Sequence, residues 1–166
     1  MQIHILRHGI AETAGAWMDD ADRALVPEGK KKLKVVLRVA KAAGVEPDHI
    51  LTSPYRRAVE TAEIAAQELG YTGKLIRCDA LRPGSEPEDV WDEIRVFRPG
   101  EQILLSGHEP LLSYVAAFLL DAPTLRIDLK KGSLLRIDLD RFGAQPRGVL
   151  RWYLTPKLAL AGARSG

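Results

Sequence analysis

Cysteine is almost absent from this chain. Cys78 stands alone among 166 residues, so no intramolecular disulfide can form and no thiolate metal cluster can assemble. No apolar run approaches the ~18 residues that cross a bilayer, which excludes a membrane-spanning helix as an expectation. The N-terminal residues lack the unbroken apolar core of a secretory signal, because His4, Arg7, His8 and Glu12 interrupt it. A cytoplasmic location is therefore expected. The net charge is only +2, too small to argue for nucleic acid or an anionic membrane as a partner. Internal repeats, low-complexity tracts and obvious linkers are also missing. What remains is 46% apolar and 28% charged, the composition of a soluble globular domain of ordinary size.

The pattern along the chain alternates between strand and helix. Residues 3–6 read as a short buried strand, followed by a long polar connection over 9–26. Pro27 and Glu28 suit a helix start, and that helix is expected to run to about residue 43 with Gly44 as its stop. Strands are expected at 49–52, 74–78 and 102–106. Helices are expected after Ser53-Pro54, over 86–96, and from Glu109-Pro110 to about 120. After Pro123 the period changes to two, predicting strands at 126–129, 134–139 and 149–154. The reading is one three-layer α/β domain over residues 1–156. It has a mostly parallel sheet, helices on both faces and antiparallel closing strands. Residues 157–166 are expected to form a flexible tail.

Three unusual clusters follow three of these strands. Arg7-His8-Gly9 follows the first, Thr52-Ser53-Pro54-Tyr55-Arg56-Arg57-Ala58 the second, and Ser106-Gly107-His108-Glu109-Pro110 the strand at 102–106. Ligands of open α/β sheets bind outside the carboxyl ends of the strands. The clusters should therefore share one pocket with two histidines and at least two arginines. Arginine offers a planar fork to phosphate oxygens, and imidazole serves as nucleophile or donor according to its protonation. A doubly charged oxyanion, a phosphoryl group, is the expected ligand. A metal fits poorly beside guanidinium charges.

Leu6-Arg7-His8-Gly9, then Ser53-Pro54-x-x-Arg57-Ala58-x-x-Thr61, then Gly107-His108 resemble the histidine phosphatase (phosphoglycerate-mutase-like) superfamily. The short length, Arg23-Ala24-Leu25 with Gly29, and the compact 79–100 stretch resemble its SixA-type branch, the phosphohistidine phosphatases. Glu60 stands where that family more usually has glutamine, a mild departure for the chemistry. The resemblance implies that His8 attacks phosphorus and becomes a phosphohistidine, that Arg7, Arg57 and His108 hold the phosphoryl oxygens, and that water then releases phosphate. It implies no metal and no cofactor. Gly9 is expected to allow close backbone approach to the anion, and Glu109 to line the rim.

Larger relatives carry a carboxylic acid that protonates the leaving group, and no clear equivalent stands out here. Asp79, Glu86 and Glu12 are the candidates. Without an acid, worth ~10²–10⁴-fold, the enzyme should favour a leaving group that departs easily. Phosphohistidine on a protein, such as a phosphotransfer domain, meets that need. A small-metabolite phosphomonoesterase and a non-catalytic phosphate-binding adaptor are the alternatives. Elsewhere, bland roles are expected. Ser53 reads as a helix cap, Arg56 as a bystander, His4 and His49 as structural residues, and Trp17 and Trp91 as core. The lysines at 30–34 read as a solvated face, with docking of an acidic protein as the sharper alternative.

Overall fold

The computed structural model describes residues 1–140 and 143–162. Six strands form one sheet in the order β3-β2-β4-β1-β5-β6. They are β1 (Gln2–Arg7), β2 (His49–Thr52), β3 (Ile76–Arg77), β4 (Gln102–Gly107), β5 (Leu134–Leu139) and β6 (Gly148–Leu154). The first four run parallel, and β5 joins β1 antiparallel. Because successive strand residues face opposite sides, Ile3, Ile5, Ile103 and Leu105 supply one core while Leu6 and Leu104 supply the other. Helices α3 (Pro87–Ile94) and α4 (Leu111–Leu119) cover the first core. The second lies under α1 (Pro27–Ala42), α2 (Arg56–Leu69) and α5 (Pro156–Gly162). The expected three-layer architecture is thus observed. Among the described residues no helix is long and apolar enough to cross a membrane.

Five expectations change. Residues 126–129 form no strand; Leu129 is buried, and its segment wraps over the end of β1 instead. The third strand shrinks to Ile76–Arg77, both exposed at the sheet edge, a short edge of the kind that discourages pairing with other chains. The helix after Pro54 begins only at Arg56, because Tyr55 holds an extended backbone. Most of the expected tail is ordered: α5 packs on α1 and buries Ala159. Its small residues allow that close approach; residues 163–166 lie outside the described ones. Trp17 is fully exposed rather than core, whereas Trp91 is core and donates Nε1–H to Gly143 O at 3.0 Å.

The connection from β1 to α1 closes on the helix itself. Val26 N–H donates to Ile10 O at 3.0 Å. A Cβ built on Gly29, in the first turn of α1, would stand 2.4 Å from that same oxygen and 2.9 Å from Ile10 N. Backbone on both sides leaves nothing soft to yield. Gly29→Ala is therefore expected to destabilise by about 1–3 kcal/mol, against the gain of up to ~1 kcal/mol that alanine usually brings to a helix. Urea titration measures it; unchanged stability would contradict the close approach.

Candidate active site

Register brings the clusters together. Arg7 pairs with Gly107 across β1 and β4, and Thr52 pairs with Ser106 across β2 and β4. The chain leaves all three strands at the same edge. His8 N–H donates to Gly107 O (3.0 Å) and Ser53 N–H to Ser106 O (2.9 Å). Ser106 Oγ–H then donates to Ala58 O at 2.9 Å, pinning the first turn of α2 against β4. That turn carries Arg57 inward, where it is 5% exposed.

The rings of His8 and His108 lie 5.2 Å apart between centroids. Tyr55 meets His108 edge-on at 5.2 Å, and the Arg57 guanidinium stands 5.1 Å from the Tyr55 centroid. Arg7 reaches the loop before β5, where Nη1–H donates to Leu129 O at 2.5 Å. The same loop closes back through Gly132, whose N–H approaches Arg7 O (3.1 Å) and His8 O (3.0 Å). Gly132 has φ of +74°, a conformation that suits glycine.

His8 Nδ1–H donates to Gly9 O at 2.7 Å. That bond fixes the tautomer and leaves Nε2 with its lone pair free. Burial, and then the cations of Arg57, Arg7 and Lys131, push the His8 imidazole down to about 4; the Gly9 bond opposes them. Burial, His8 and Arg57 push His108 down to about 3. Both rings are neutral at pH 7. Ser53 Oγ accepts from Tyr55 N–H (3.4 Å) and stands 2.8 Å from His108 Nε2. His108 Nδ1, Arg7 Nε and Arg57 Nε are all buried without a hydrogen-bond partner among the described residues. Leaving a buried donor unpaired costs ~1–3 kcal/mol, so the two guanidinium Nε–H groups at one edge mark a place made for an acceptor.

The four residues expected at the centre, His8, Arg7, Arg57 and His108, are thus brought together. Gly9 and Glu109, also expected at the anion, make contacts within the fold. Gly9 N–H donates to Thr61 Oγ1 at 3.1 Å, and a Cβ there would meet Leu33 Cδ1 at 2.7 Å; this glycine serves packing against α1. Glu109 accepts from Ser113 N–H at 3.0 Å and from the Ser113 hydroxyl, so its carboxylate caps α4, where a negative charge is stabilised. Glu12 is tied to the neighbouring loop by Ala24 N–H (3.0 Å). Asp79 pairs with Arg82 in solvent at 2.8 Å, and Glu86 is exposed at the start of α3. Ser53 bonds His108 and is not the helix cap.

Reading the sequence alone misses Asp20. Its main-chain oxygen and carboxylate accept from both ends of the Arg57 fork, at 2.5 and 2.9 Å. Bonds from Arg23, ahead of those from Arg57, hold the Asp20 carboxyl below its ordinary range. The available signal was a carboxylate run, Asp19, Asp20 and Asp22, just before Arg23. Glu60, the departure from the family pattern, anchors this loop by accepting from Leu25 N–H (3.0 Å) and Arg56 Nε–H (2.9 Å). Arg56 is therefore the bystander expected. Among the described residues no three His, Cys, Asp or Glu side chains gather as a metal set.

These imidazoles tie stability to pH. His4, on β1, is also pushed down by burial, to about 4. Three rings ordinarily titrating near 6.5 thus stay neutral in the folded chain while the unfolded chain protonates them. The unfolded state binds more protons between pH 4 and 6.5, so stability is complete above pH 6.5 and declines as pH falls towards 4. Urea titrations between pH 5 and 7 should give a slope approaching about three protons, and His4→Gln should remove about one. A flat profile would contradict the burial.

Comparison with known proteins gives a consistent result. The family profile described as histidine phosphatase superfamily (branch 1) matches residues 3–82. An uncharacterized protein of Picosynechococcus is 32% identical over 164 residues, covering 96% of this chain and 99% of its own. The phosphohistidine phosphatase SixA of Escherichia coli is 25% identical over 158 residues, covering 94% of both chains. The structure of the protein histidine phosphatase SixA complexed with tungstate superposes with a TM-score of 0.82 at 25% identity, over 95% of this chain and 98% of that one. A mycobacterial glucosyl-3-phosphoglycerate phosphatase shares the fold at 17% identity and a TM-score of 0.68, over 90% and 96% of the two chains.

Proposed function

The chain belongs to the histidine phosphatase superfamily, in its SixA-like branch, and from that premise we propose that it hydrolyses phosphohistidine on a protein through a covalent intermediate on His8. The His8 Nδ1–H bond to Gly9 O carries this reading. It holds a neutral ring with Nε2 free, the state a nucleophile requires. Nε2 attacks phosphorus as the bond to the departing nitrogen breaks. The leaving imidazole, protonated on its other nitrogen, departs neutral. Water then attacks the phosphorus on His8, releasing phosphate and restoring the imidazole. Arg7, Arg57 and His108 hold the equatorial oxygens, where the transition-state charge spreads. A dianion entering the site takes the Arg57 donors from Asp20.

The carboxylates support the choice of leaving group. Asp20, bonded to Arg57, is kept ionised, and Glu12 and Asp79 are bonded elsewhere. An alkoxide would leave without assistance, whereas a neutral imidazole needs none. No metal is required, because guanidinium and imidazole groups supply the positive potential. A phosphatase for a small phosphomonoester is the second reading, and the mycobacterial likeness at 17% identity extends only to fold.

A panel tests this. Phosphohistidine peptides and aryl phosphates should be hydrolysed with kcat/KM at least ~10²-fold above alkyl phosphates such as sugar phosphates, the contribution of a missing acid. A sugar phosphate hydrolysed as well as phosphohistidine would overturn the assignment. Phosphate binding without turnover of any donor would turn it to an adaptor.

A further inference from the structure

A groove of about 990 Å³ opens beside the nucleophile, with Arg7 among its lining residues. Three elements build it: Lys32 comes from α1, Lys130 and Lys131 from the loop before β5, and Lys157 from α5. Ile10, Pro156 and Leu160 give it an apolar surface. Among the described residues Asp128 is the one carboxylate in the lining, and it pairs with Lys130. Lys32 pairs with Glu28 at 2.6 Å. Lys131 and Lys157 are exposed and have no carboxylate within ion-pairing distance among the described residues. With Lys32 and Lys130 paired, Arg7, Lys131 and Lys157 remain uncompensated by a carboxylate among the described residues and repel one another, a cost that an anionic partner removes.

We propose that this groove docks an acidic protein surface flanking the phosphohistidine. The inference rests on the phosphohistidine reading above. Continuity with the site supports it, since Arg7 belongs to both and the charge of Lys131 acts on the His8 ring. The type of cation supports a protein occupant. A lysine ammonium is a point charge on a flexible stem and answers to the field of an acidic surface, whereas one small defined anion is better held by a rigid guanidinium fork. The apolar part can take a side chain from the partner. Lysines spread over a groove also speed the encounter with an acidic protein.

The probes are five: phosphohistidine peptides flanked by Asp and Glu, by Ser, and by Lys, an aryl phosphate, and a small phosphorylated carboxylic acid. Wild-type protein should prefer the acidic peptide over the Ser peptide by about tenfold, and ~0.5 M NaCl should erase most of that preference. Lys130→Glu/Lys157→Glu should lose it, chiefly through KM, and should prefer a Lys-flanked peptide instead. Turnover of the aryl phosphate should stay within about twofold. Because the salt arm uses wild-type protein, it decides the matter even where the variant folds poorly. Equal use of acidic and Ser peptides, insensitive to salt, would overturn the docking surface and leave the phosphohistidine reading standing. Hydrolysis of the aryl phosphate and of neither peptide would overturn both. Loss in the variant confined to a small phosphorylated carboxylic acid would overturn the protein occupant.

Discussion

Replacing His8 by alanine is expected to lower kcat/KM for an aryl phosphate by 10³–10⁴-fold or more, the order lost when a covalent nucleophile is removed. The reason is the tautomer. With Nδ1–H committed to Gly9 O, Nε2 of His8 is the ring atom with a free lone pair, and His108 bonds Ser53 through its own Nε2. No label from a phosphoryl donor should then stay on the protein, whereas wild-type protein quenched in alkali should retain it as phosphohistidine. Folding is checked by the pH slope of stability, which should drop by about one proton. A variant that keeps a tenth of the wild-type turnover would remove His8 from the nucleophile's place.

Arg57→Met separates function from stability. Aryl phosphate hydrolysis is expected to fall ~10²–10³-fold in kcat/KM, as when a preorganised donor to a developing oxyanion is lost. The fold should be as stable as wild type or more so. The Arg57 cation pushes both imidazoles down, and its partner Asp20 is half exposed, so water can take over that carboxylate. The usual heavy penalty for orphaning a buried partner does not apply. Kinetics and urea titration on the same preparation test both halves. Activity retained, or stability lost by several kcal/mol, would show that Arg57 serves the fold instead.

Much of the site was legible because it lies at strand ends. A strand of apolar residues that closes on Arg7-His8 has a boundary visible in one dimension, and so do Thr52-Ser53 and Gly107-His108. Parallel pairing then leaves their relative placement little freedom. Gly9 and Glu109 were less legible, because their residue types suit two roles each. Glycine suits both a tight packing contact and an anion's approach, and glutamate beside a helix start suits both a rim and a cap. Only the positions of Leu33 and Ser113 distinguish these roles. The expected strand at 126–129 failed because period two shows a possible face but not an available partner. The edge of β1 pairs with β5.

The chain's own order of residues determined the layered α/β architecture, the imidazole's address at position 8 and the arginines that attend it. Each is a local pattern: an apolar period, a turn residue, a charged pair after a strand. Tertiary structure decided what depends on distance across the chain. It set Asp20 on Arg57, Ser53 against His108, and α5 beside α1 to wall a lysine-lined groove. Such contacts join segments separated by tens of residues, and their geometry exists only once the sheet has brought those segments to one edge.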